Sequence, residues 1–413
     1  MSGDDDFDER WNAAKQGELV PPAGMFDDEP PVEAYDIPAN VVPITNKSSP
    51  KSSALDANVT NMAESVDRAL KAAYAREVRR NNGQKLLGAA CGLTRIDKAI
   101  DGWQRKRVHV IGGRSGMGKS MVALNAGIGL AKQGEPVAYM SIEMPTTEQA
   151  MRALFAEGRV ETWRWKEGKM REQDWNALYV ASEALKPLPW LFDETSSMTV
   201  EQVRAKCEYM KRRFMEELNR ELHTVIIDHV LLLKGTNERQ PRREQVIHIT
   251  RSIKGIANDL DLCIMELTQL NRSMEARSVK DKKPQISDLK ESGSSEEDAD
   301  VIMLLYRADY YEKDKSQWTN ELEVNLPKIR GGEAAYAKLR FDGARQRIEN
   351  LAGDDDPDDT PEAQKASREK VPMPTSEERP RAGVDNDDDD GDEVPDVQDV
   401  GPTDYLDSLL PRE

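Results

Sequence analysis

The sequence has few cysteines and no long apolar run. Its three cysteines, Cys91, Cys207 and Cys263, are widely spaced along 413 residues and form no CxxC pair. This spacing argues against a zinc site or a disulfide framework and fits a reducing compartment. No apolar run approaches the ~20 residues of a membrane span, and the acidic first ten residues are unlike a secretory signal. The sequence therefore predicts a soluble, cytoplasmic protein without a membrane anchor.

Basic residues are in the minority overall, but the two signs of charge are unevenly distributed. Residues 1–40 hold eleven acidic and two basic residues, and residues 354–413 hold twenty-one and six. Residues 41–353 therefore carry a net charge of +6, although the whole chain carries −18. A basic body between acidic ends is compatible with a nucleic-acid partner. Charge alone does not establish one.

Both ends of the chain have the composition of disordered segments. Residues 1–60 and 353–413 are rich in proline, serine and acidic residues, with "DNDDDDGDE" near the centre of the second segment. They could simply be solubilising, or they could shield a nucleic-acid channel or recruit a partner. Within the second segment, "DYLDSLL" (404–410) regains apolar residues on one helical face, which favours a docking segment.

An amphipathic linker helix is predicted within residues 61–87. Apolar residues recur every four positions from Val66 to Val78, Ser65 can cap the start, and Gly83 can end the helix. An isolated helix of this length is marginal in water. Its apolar stripe is therefore expected to pack on its own domain or on a neighbouring subunit.

Strands alternate with helices through residues 88–352, which predicts an α/β fold with a mostly parallel, twisted sheet flanked by helices. Strand-like apolar runs cover 107–113, 136–144, 223–233, 262–270 and 301–307. "LEVNLPKIR" and "AAYAKLRFDG" are typical of a hairpin joined at Gly331-Gly332.

A phosphate-binding loop is predicted at "GRSGMGKS" (113–120), which fits G-x-x-x-x-G-K-[ST] between a strand and a helix. Backbone N–H groups close around phosphate oxygens there, and the helix N-terminus favours an anion. Lys119 is expected to reach the β- and γ-phosphates of ATP, and Ser120 to hold Mg²⁺. A chance match in a glycine-rich turn is the alternative. The residues predicted to bind nucleotide are Gly113, Ser115, Gly116, Met117, Gly118, Lys119 and Ser120.

Three polar residues follow other apolar runs and could complete this site. Asp228 ends "VIID", where a carboxylate would orient the hydration shell of the metal. Glu143 ends "YMSIE", on a strand expected to neighbour the strand before the loop, and would polarise the attacking water. Gln269 ends "MELTQ" and could sense the γ-phosphate. Each could instead be an ordinary polar residue at a strand end, but open parallel sheets place their ligand sites at these ends.

An ordered series of motifs resembles the RecA-like motor domain of DnaB-type replicative helicases over roughly residues 88–350. The series is "GLTRIDKAIDG", "GRSGMGKS", "YMSIEMP", "VIIDHV", "LTQLNRSMEAR", "SDLKESGSSEEDADVIMLLYRADYYEKD" and "KIRGG". The long "SDLKESG" block separates this family from other RecA-like ATPases. The resemblance implies a ring hexamer that binds ATP between subunits, moves 5′ to 3′ on single-stranded DNA and unwinds a forked duplex. Lys119, Ser120, Asp228, Glu143 and Gln269 match the family's P-loop lysine, metal ligands, catalytic glutamate and phosphate sensor.

The resemblance also implies two loops that meet DNA and a pair of cations supplied to another subunit. The predicted DNA-contacting residues are Lys290, Glu291 and Gly293 in "LKESG", and Arg239, Arg242 and Arg243 in "NERQPRRE". For the arginines, a solvated basic loop is the alternative. Lys328 and Arg330 match the family's paired finger cations, which project into the neighbouring subunit's ATP site. From spacing alone, a charged, solvated strand edge is the favoured interpretation of this pair.

The chain departs from the family pattern at its N-terminal side. Residues 1–60 are too polar and proline-rich to form the helical collar that helps to close the family's ring and meets primase. This favours a reduced, phage-type form, with a primase, a helicase loader or a single-strand-binding protein contacted through the tails. A RecA-like recombination ATPase that binds single strands without unwinding is the alternative function, and a non-motor scaffold with a relict ATP site is a third.

Overall fold

The computed structural model describes most of the chain between residues 61 and 351. The described residues are 61–81, 83, 85–235, 240–271, 277, 282–289 and 293–351. The predicted disordered ends and the docking segment 404–410 lie outside them. The chain divides into two units, Met1–Lys85 and Leu86–Glu413. No helix in the described ranges is long and apolar enough to cross a bilayer.

The described helix of the first unit is α1, Met62–Asn81, and it starts earlier than the sequence pattern predicted. The backbone N–H of Glu64 donates to the side-chain oxygen of Asn61 at 2.9 Å, so Asn61 supplies the N-cap. The prediction that Ser65 caps this helix is wrong, because a capping side chain is available four residues earlier. Gly83 has a φ of 86°, as predicted for the residue that follows the helix end.

The predicted apolar stripe of α1 is present and is exposed. Val66, Leu70, Tyr74 and Val78 share one helical face at four-residue spacing, and their exposed fractions range from 36 to 53%. A stripe of this kind is a candidate contact surface for another protein surface.

The second unit contains one nine-stranded sheet with strand order β3-β2-β4-β5-β1-β6-β7-β8-β9. The strands are β1 Val108–Gly113, β2 Val137–Ser141, β3 Trp190–Asp193, β4 Thr224–Asp228, β5 Cys263–Gln269, β6 Val301–Tyr306, β7 Glu321–Ile329, β8 Ala335–Asp342 and β9 Arg347–Asn350. The helices are α2 Thr94–Ile100, α3 Lys119–Lys132, α4 Thr146–Gly158, α5 Thr162–Lys166, α6 Glu172–Leu185, α7 Val200–Leu218, α8 Arg242–Asp259 and α9 Gly293–Asp298.

The first six strands of the sheet order, β3 through β6, pair in parallel, and β6 through β9 pair antiparallel. The mostly parallel α/β sheet predicted from the sequence is confirmed. Adjacent strand residues alternate between two cores, with Ile111 in the core beneath α3 and Val110 in the core beneath α7 and α8. Helices therefore cover both faces, as a buried parallel sheet requires.

Two predictions about the strands are wrong in detail. The strand before Glu143, β2, does not neighbour β1, because β4 and β5 lie between them. Strands that are consecutive in the chain are often neighbours in the sheet. Here β4 and β5, which come later in the chain, lie between β2 and β1. The run 223–233 is a strand only as far as Asp228, and Val230–Leu232 forms a 3₁₀ turn.

The predicted hairpin is confirmed, with β7 and β8 paired from Glu321↔Arg340 to Leu326↔Ala335. On its other side, β7 pairs with β6 through a register shift that leaves Leu326 and Pro327 together opposite Met303. Proline has no N–H to donate to the ladder, so it is found at bulges and edges. The bulge re-aims the residues that follow it, which are Lys328 and Arg330.

Candidate nucleotide site and finger pair

The predicted phosphate-binding loop joins the carboxyl end of β1 to the start of α3. Gly116 and Gly118 have φ values of 77° and 95°, in the left-handed region that side chains disfavour. A Cβ on Gly118 would lie 2.7 Å from Cε2 of Phe341, so a side chain does not fit there. Glycine is therefore required at positions 116 and 118 by this conformation. A chance match to the motif would not produce such a loop between β1 and α3.

Lys119 is the first residue of α3, and its ammonium group donates to the carbonyl oxygen of Arg114 at 3.3 Å. Burial lowers the pKa of Lys119, and the nearby carboxylates of Asp228 and Glu143 oppose this shift. Lys119 is half-buried, and a cation whose desolvation is only partly offset by nearby carboxylates is stabilised further by a bound anion. The residues present therefore fit a bound phosphate.

Asp228 ends β4 and is buried at 3% exposure. The hydroxyl of Tyr139 donates to its Oδ2 at 2.7 Å. Burial and the Asp228 carboxylate raise the pKa of Tyr139, so the phenol stays a proton donor. Ser141 of β2 pairs with Asp228 in register, which aligns the ends of these strands.

Glu143 and Gln269 reach the same edge of the sheet by different routes. Glu143 lies two residues beyond the end of β2, is exposed, and has its Oε2 3.7 Å from Nε2 of His229. Gln269 ends β5 and pairs with Gly113 in register, directly beside the loop. The structure therefore brings Lys119, Asp228, Glu143 and Gln269 to the carboxyl ends of neighbouring parallel strands, where α/β folds place their ligands.

Sequence reasoning missed the residues that support the loop from β8 and from the segment after β6. The guanidinium of Arg307 lies 3.5 Å from the ring centroid of Phe341 and donates to the carbonyl oxygen of Gly116 at 3.4 Å. Burial lowers the pKa of Arg307, and Asp309 opposes the shift. Tyr310 lies beside Gly116. Arg307 and Tyr310 belong to the quoted "LLYRADYY", but no local pattern in it indicates contact with a loop 190 residues earlier.

The predicted finger cations lie at the other end of the sheet from this loop. Ile329 pairs with Val301 of β6, which in turn pairs with His109 near the amino end of β1. The five residue steps from Val108 to Gly113 span about 16 Å at ~3.3 Å per residue. Arg330 is therefore too distant to serve the loop of its own subunit.

The predicted DNA-contacting residues are only partly described. Arg239, Lys290 and Glu291 lie outside the described residues, and Gly293 is the first residue of α9. The guanidinium of Arg242 donates to the carbonyl oxygens of Leu231 (2.5 Å) and Leu233 (3.3 Å), which gives it a structural role at the start of α8.

Arg243, the next residue, is exposed at the amino end of α8. Arg242 is exposed as well, so the two arginines differ in the backbone hydrogen bonds that Arg242 makes and not in their exposure. The arrangement is compatible with a DNA-facing Arg243 and makes Arg242 the less suitable of the two for phosphate contact.

The chain is similar to proteins of known family over the whole of its second unit except its C-terminal end. The DnaB-like helicase C-terminal domain family matches residues 88–350. The replicative DNA helicase DnaB of Geobacillus stearothermophilus is 35% identical over 277 residues, which cover 67% of this chain and 59% of that protein. The replicative DNA helicase DnaC of Bacillus subtilis is 34% identical over 273 residues, 66% of this chain and 58% of that protein.

Solved structures show the same relationship. An ATPase domain superimposes with a TM-score of 0.64 and 30% identity, covering 69% of this chain and 98% of that domain. A DnaB-like replicative helicase, solved in a study of its interactions with primase, gives a TM-score of 0.63 and 27% identity over 71% of this chain and 68% of that one. The chain spans about three-fifths of the length of the curated relatives it matches. Together with the loop, the strand order and the residues at the strand ends, these similarities show that the chain belongs to the DnaB-like helicase C-terminal domain family.

Proposed function

We propose that this protein is an ATP-driven replicative DNA helicase that works as a ring, moving 5′ to 3′ on single-stranded DNA and unwinding the duplex at a fork. One observation carries the multisubunit part of the proposal. The nucleotide loop lies at the carboxyl end of β1, and Arg330 lies at its amino end, so a complete site needs two copies of the chain.

Within one subunit, Lys119 would bind the β- and γ-phosphates of ATP, with the backbone N–H groups of the loop around them. Ser120 and Asp228 would hold Mg²⁺, which neutralises developing charge when bound. No cluster of three or more acidic, histidine or cysteine ligands occurs among the residues that the structure describes. This fits Mg²⁺, which is bound through one or two side chains together with phosphates and water.

Glu143 would orient and deprotonate the attacking water, since its carboxylate is exposed beyond the end of β2. Gln269 would contact the γ-phosphate from beside Gly113 and report its loss to β5. Arg330 and Lys328 of the adjacent subunit would stabilise the charge on the transferring phosphoryl group. Fingers supplied in trans contribute roughly 10³–10⁵ in rate.

Single-stranded DNA would be held through its phosphates by the two predicted loops, from Lys290, Glu291 and Gly293 on one and Arg239, Arg242 and Arg243 on the other. Contacts of this kind bind without sequence preference and weaken with salt. The basic region 41–353 provides the matching charge, and the acidic ends do not. Because Arg242 is bonded to backbone carbonyls, Arg243 is the stronger candidate of the described pair.

The assembly we propose is a homohexamer in which α1 packs against the next subunit, since its apolar stripe is exposed. A primase, a helicase loader or a single-strand-binding protein would be contacted through the acidic ends, including residues 404–410. The protein would act at the replication fork, in the cytoplasm of a bacterium or of a phage-infected host.

The deciding experiment is unwinding of a forked duplex with a 5′ tail, comparing the native chain with Glu143→Ala. We expect strand separation that depends on ATP and is lost in the variant, while ATP binding is retained. ATP hydrolysis by the native chain without strand separation would contradict the helicase and favour the RecA-like recombination ATPase.

A further inference from the structure

The carboxylate of Asp300 is buried, with 1% of the residue exposed. More cationic side chains surround it than are needed to balance its single negative charge. Its Oδ2 accepts from Lys254 at 2.5 Å and from the backbone N–H of Val108 at 2.8 Å. Its Oδ1 accepts from the guanidinium of Arg330 at 3.2 Å, and Arg107 lies 3.7 Å away. Lys254 and Val108 already satisfy one oxygen, so the contact with Arg330 is an addition to a compensated charge.

Arg330 is held at three points. Its backbone N–H donates to the carbonyl oxygen of Asp300 at 2.7 Å, its carbonyl oxygen accepts from Arg107 at 3.1 Å, and its guanidinium contacts the Asp300 carboxylate. The side chain nevertheless remains 65% exposed. A guanidinium has five donors in a planar fork. With one nitrogen on Asp300, the remaining donors face solvent in a restricted direction, as a phosphate-binding arginine requires.

Lys328 is held by the same short segment. Its ammonium group donates to the carbonyl oxygens of Glu296 and Glu297, the latter at 3.3 Å, at the carboxyl end of α9. A cation is favoured there, because the last carbonyls of a helix carry partial negative charge. Residues 296–300 therefore hold both cations of the β7 tip. Glu296 and Glu297 belong to α9, which starts at Gly293 in the segment predicted to meet DNA, and Asp300 lies two residues beyond the end of that helix.

We propose that Asp300 and the carboxyl end of α9 position Arg330 and Lys328 for the neighbouring subunit's nucleotide site. This inference rests on the proposed function, in which the two cations act in trans. It adds that the segment after the predicted DNA loop sets the direction of the finger pair. Single-stranded DNA bound by one subunit is thereby linked to ATP hydrolysis at the next subunit's site, and not to ATP hydrolysis at the site of the subunit that binds it.

The test uses rings mixed from two variants of the full chain. Donor subunits carry Lys119→Ala and supply only a finger pair, and acceptor subunits carry Arg330→Ala and supply only a nucleotide site. Asp300→Asn is then added to the donor or to the acceptor, and ATP hydrolysis is measured with saturating single-stranded DNA. In the donor we expect kcat to fall roughly 10–100-fold, the size of effect that small misplacements produce, with KM for ATP unchanged. In the acceptor the rate stays the same.

Lys254→Met in the donor is the matched control, since it disturbs the same buried cluster but leaves Arg330 on Asp300. It should preserve the rate within about twofold, well below the loss that misplacement causes. Equal losses from Asp300→Asn in donor and acceptor would indicate a folding defect and overturn the inference, as would no loss in the donor. If the parent mixture, without any change at Asp300, fails to hydrolyse ATP, the trans finger of the proposed function is wrong and the inference falls with it.

Discussion

Replacing Glu266 by glutamine should stabilise the protein in a strongly pH-dependent way. Glu266 lies in the middle of β5, opposite Val110 of β1, and is 1% exposed. It points to the core beneath α7 and α8, where its Oε1 has no hydrogen-bond partner. Burial, and secondly the Asp298 carboxylate, raises the pKa of Glu266 from 4.5 to about 8. A buried ionisable group without a full set of partners disfavours its charged form.

The magnitude follows from proton linkage. In the unfolded chain Glu266 ionises near pH 4.5, but in the folded protein it holds its proton to about pH 8. Between these values the native state binds more protons than the unfolded state, so the free energy of unfolding falls as pH rises. The loss is complete above about pH 8 and amounts to ~5 kcal/mol at most, at ~1.4 kcal/mol per pH unit. Below pH 4.5 the group is neutral in both states and this cost is absent.

The assay is urea unfolding of native and Glu266→Gln protein at several pH values between about 4.5 and 8.5, at fixed protein concentration. Glutamine keeps the shape but cannot ionise, so the stability difference should be near zero at the acid end and should reach several kcal/mol at the alkaline end. Glu216→Gln, the same change on the exposed face of α7, serves as the control and should shift neither end. A difference that is constant across pH would refute the reasoning.

Four further changes test the site. Tyr139→Phe removes the hydroxyl that donates to Asp228 at 2.7 Å, and we expect a loss of about 1 kcal/mol in stability and a higher Mg²⁺ midpoint in ATPase titrations. Gly118→Ala should abolish binding of a fluorescent ATP analogue with an unchanged circular dichroism spectrum, because φ is 95° there and a Cβ meets an aromatic ring at 2.7 Å; normal binding would contradict the loop geometry. Arg243→Ala should weaken single-stranded DNA binding and reduce its salt slope by about one, whereas Arg242→Ala should mainly lower the Tm, since its guanidinium bonds backbone carbonyls.

The parts of the site that follow directly from strand ends could be predicted from sequence. The loop motif sets the positions of Lys119 and the required glycines, and a polar residue that ends a buried apolar run marks a strand's carboxyl end. Asp228 and Gln269 were found by this rule and do end β4 and β5. The rule works because side chains at the ends of parallel strands meet at one edge whatever the order of the strands.

Strand order and long-range support could not be predicted in the same way. The position of β2 beside β4, away from β1, depends on where two later strands fit, and local periodicity carries no information about it. The stacking of Arg307 on Phe341 beneath the loop joins a residue of the segment after β6 to a residue of β8. Neither residue has a local pattern that distinguishes it from an ordinary strand residue, and contact between them exists only once β6, β7 and β8 are paired.

The segment "LPKIRGG" (326–332) could be interpreted only in part from the sequence. Spacing alone could not distinguish its two cations from a charged strand edge, and the family resemblance supplied residue roles without geometry. The directions of β1, β6 and β7 show where the two cations lie relative to the loop. Because β6 runs parallel to β1 and β7 runs antiparallel to β6, the tip of β7 must return to the amino end of β1, while the loop occupies the carboxyl end. No rotamer of Arg330 crosses that distance. If its charge acts on a phosphoryl group at all, that group is bound to another copy of the chain, and an isolated subunit should be a poor ATPase.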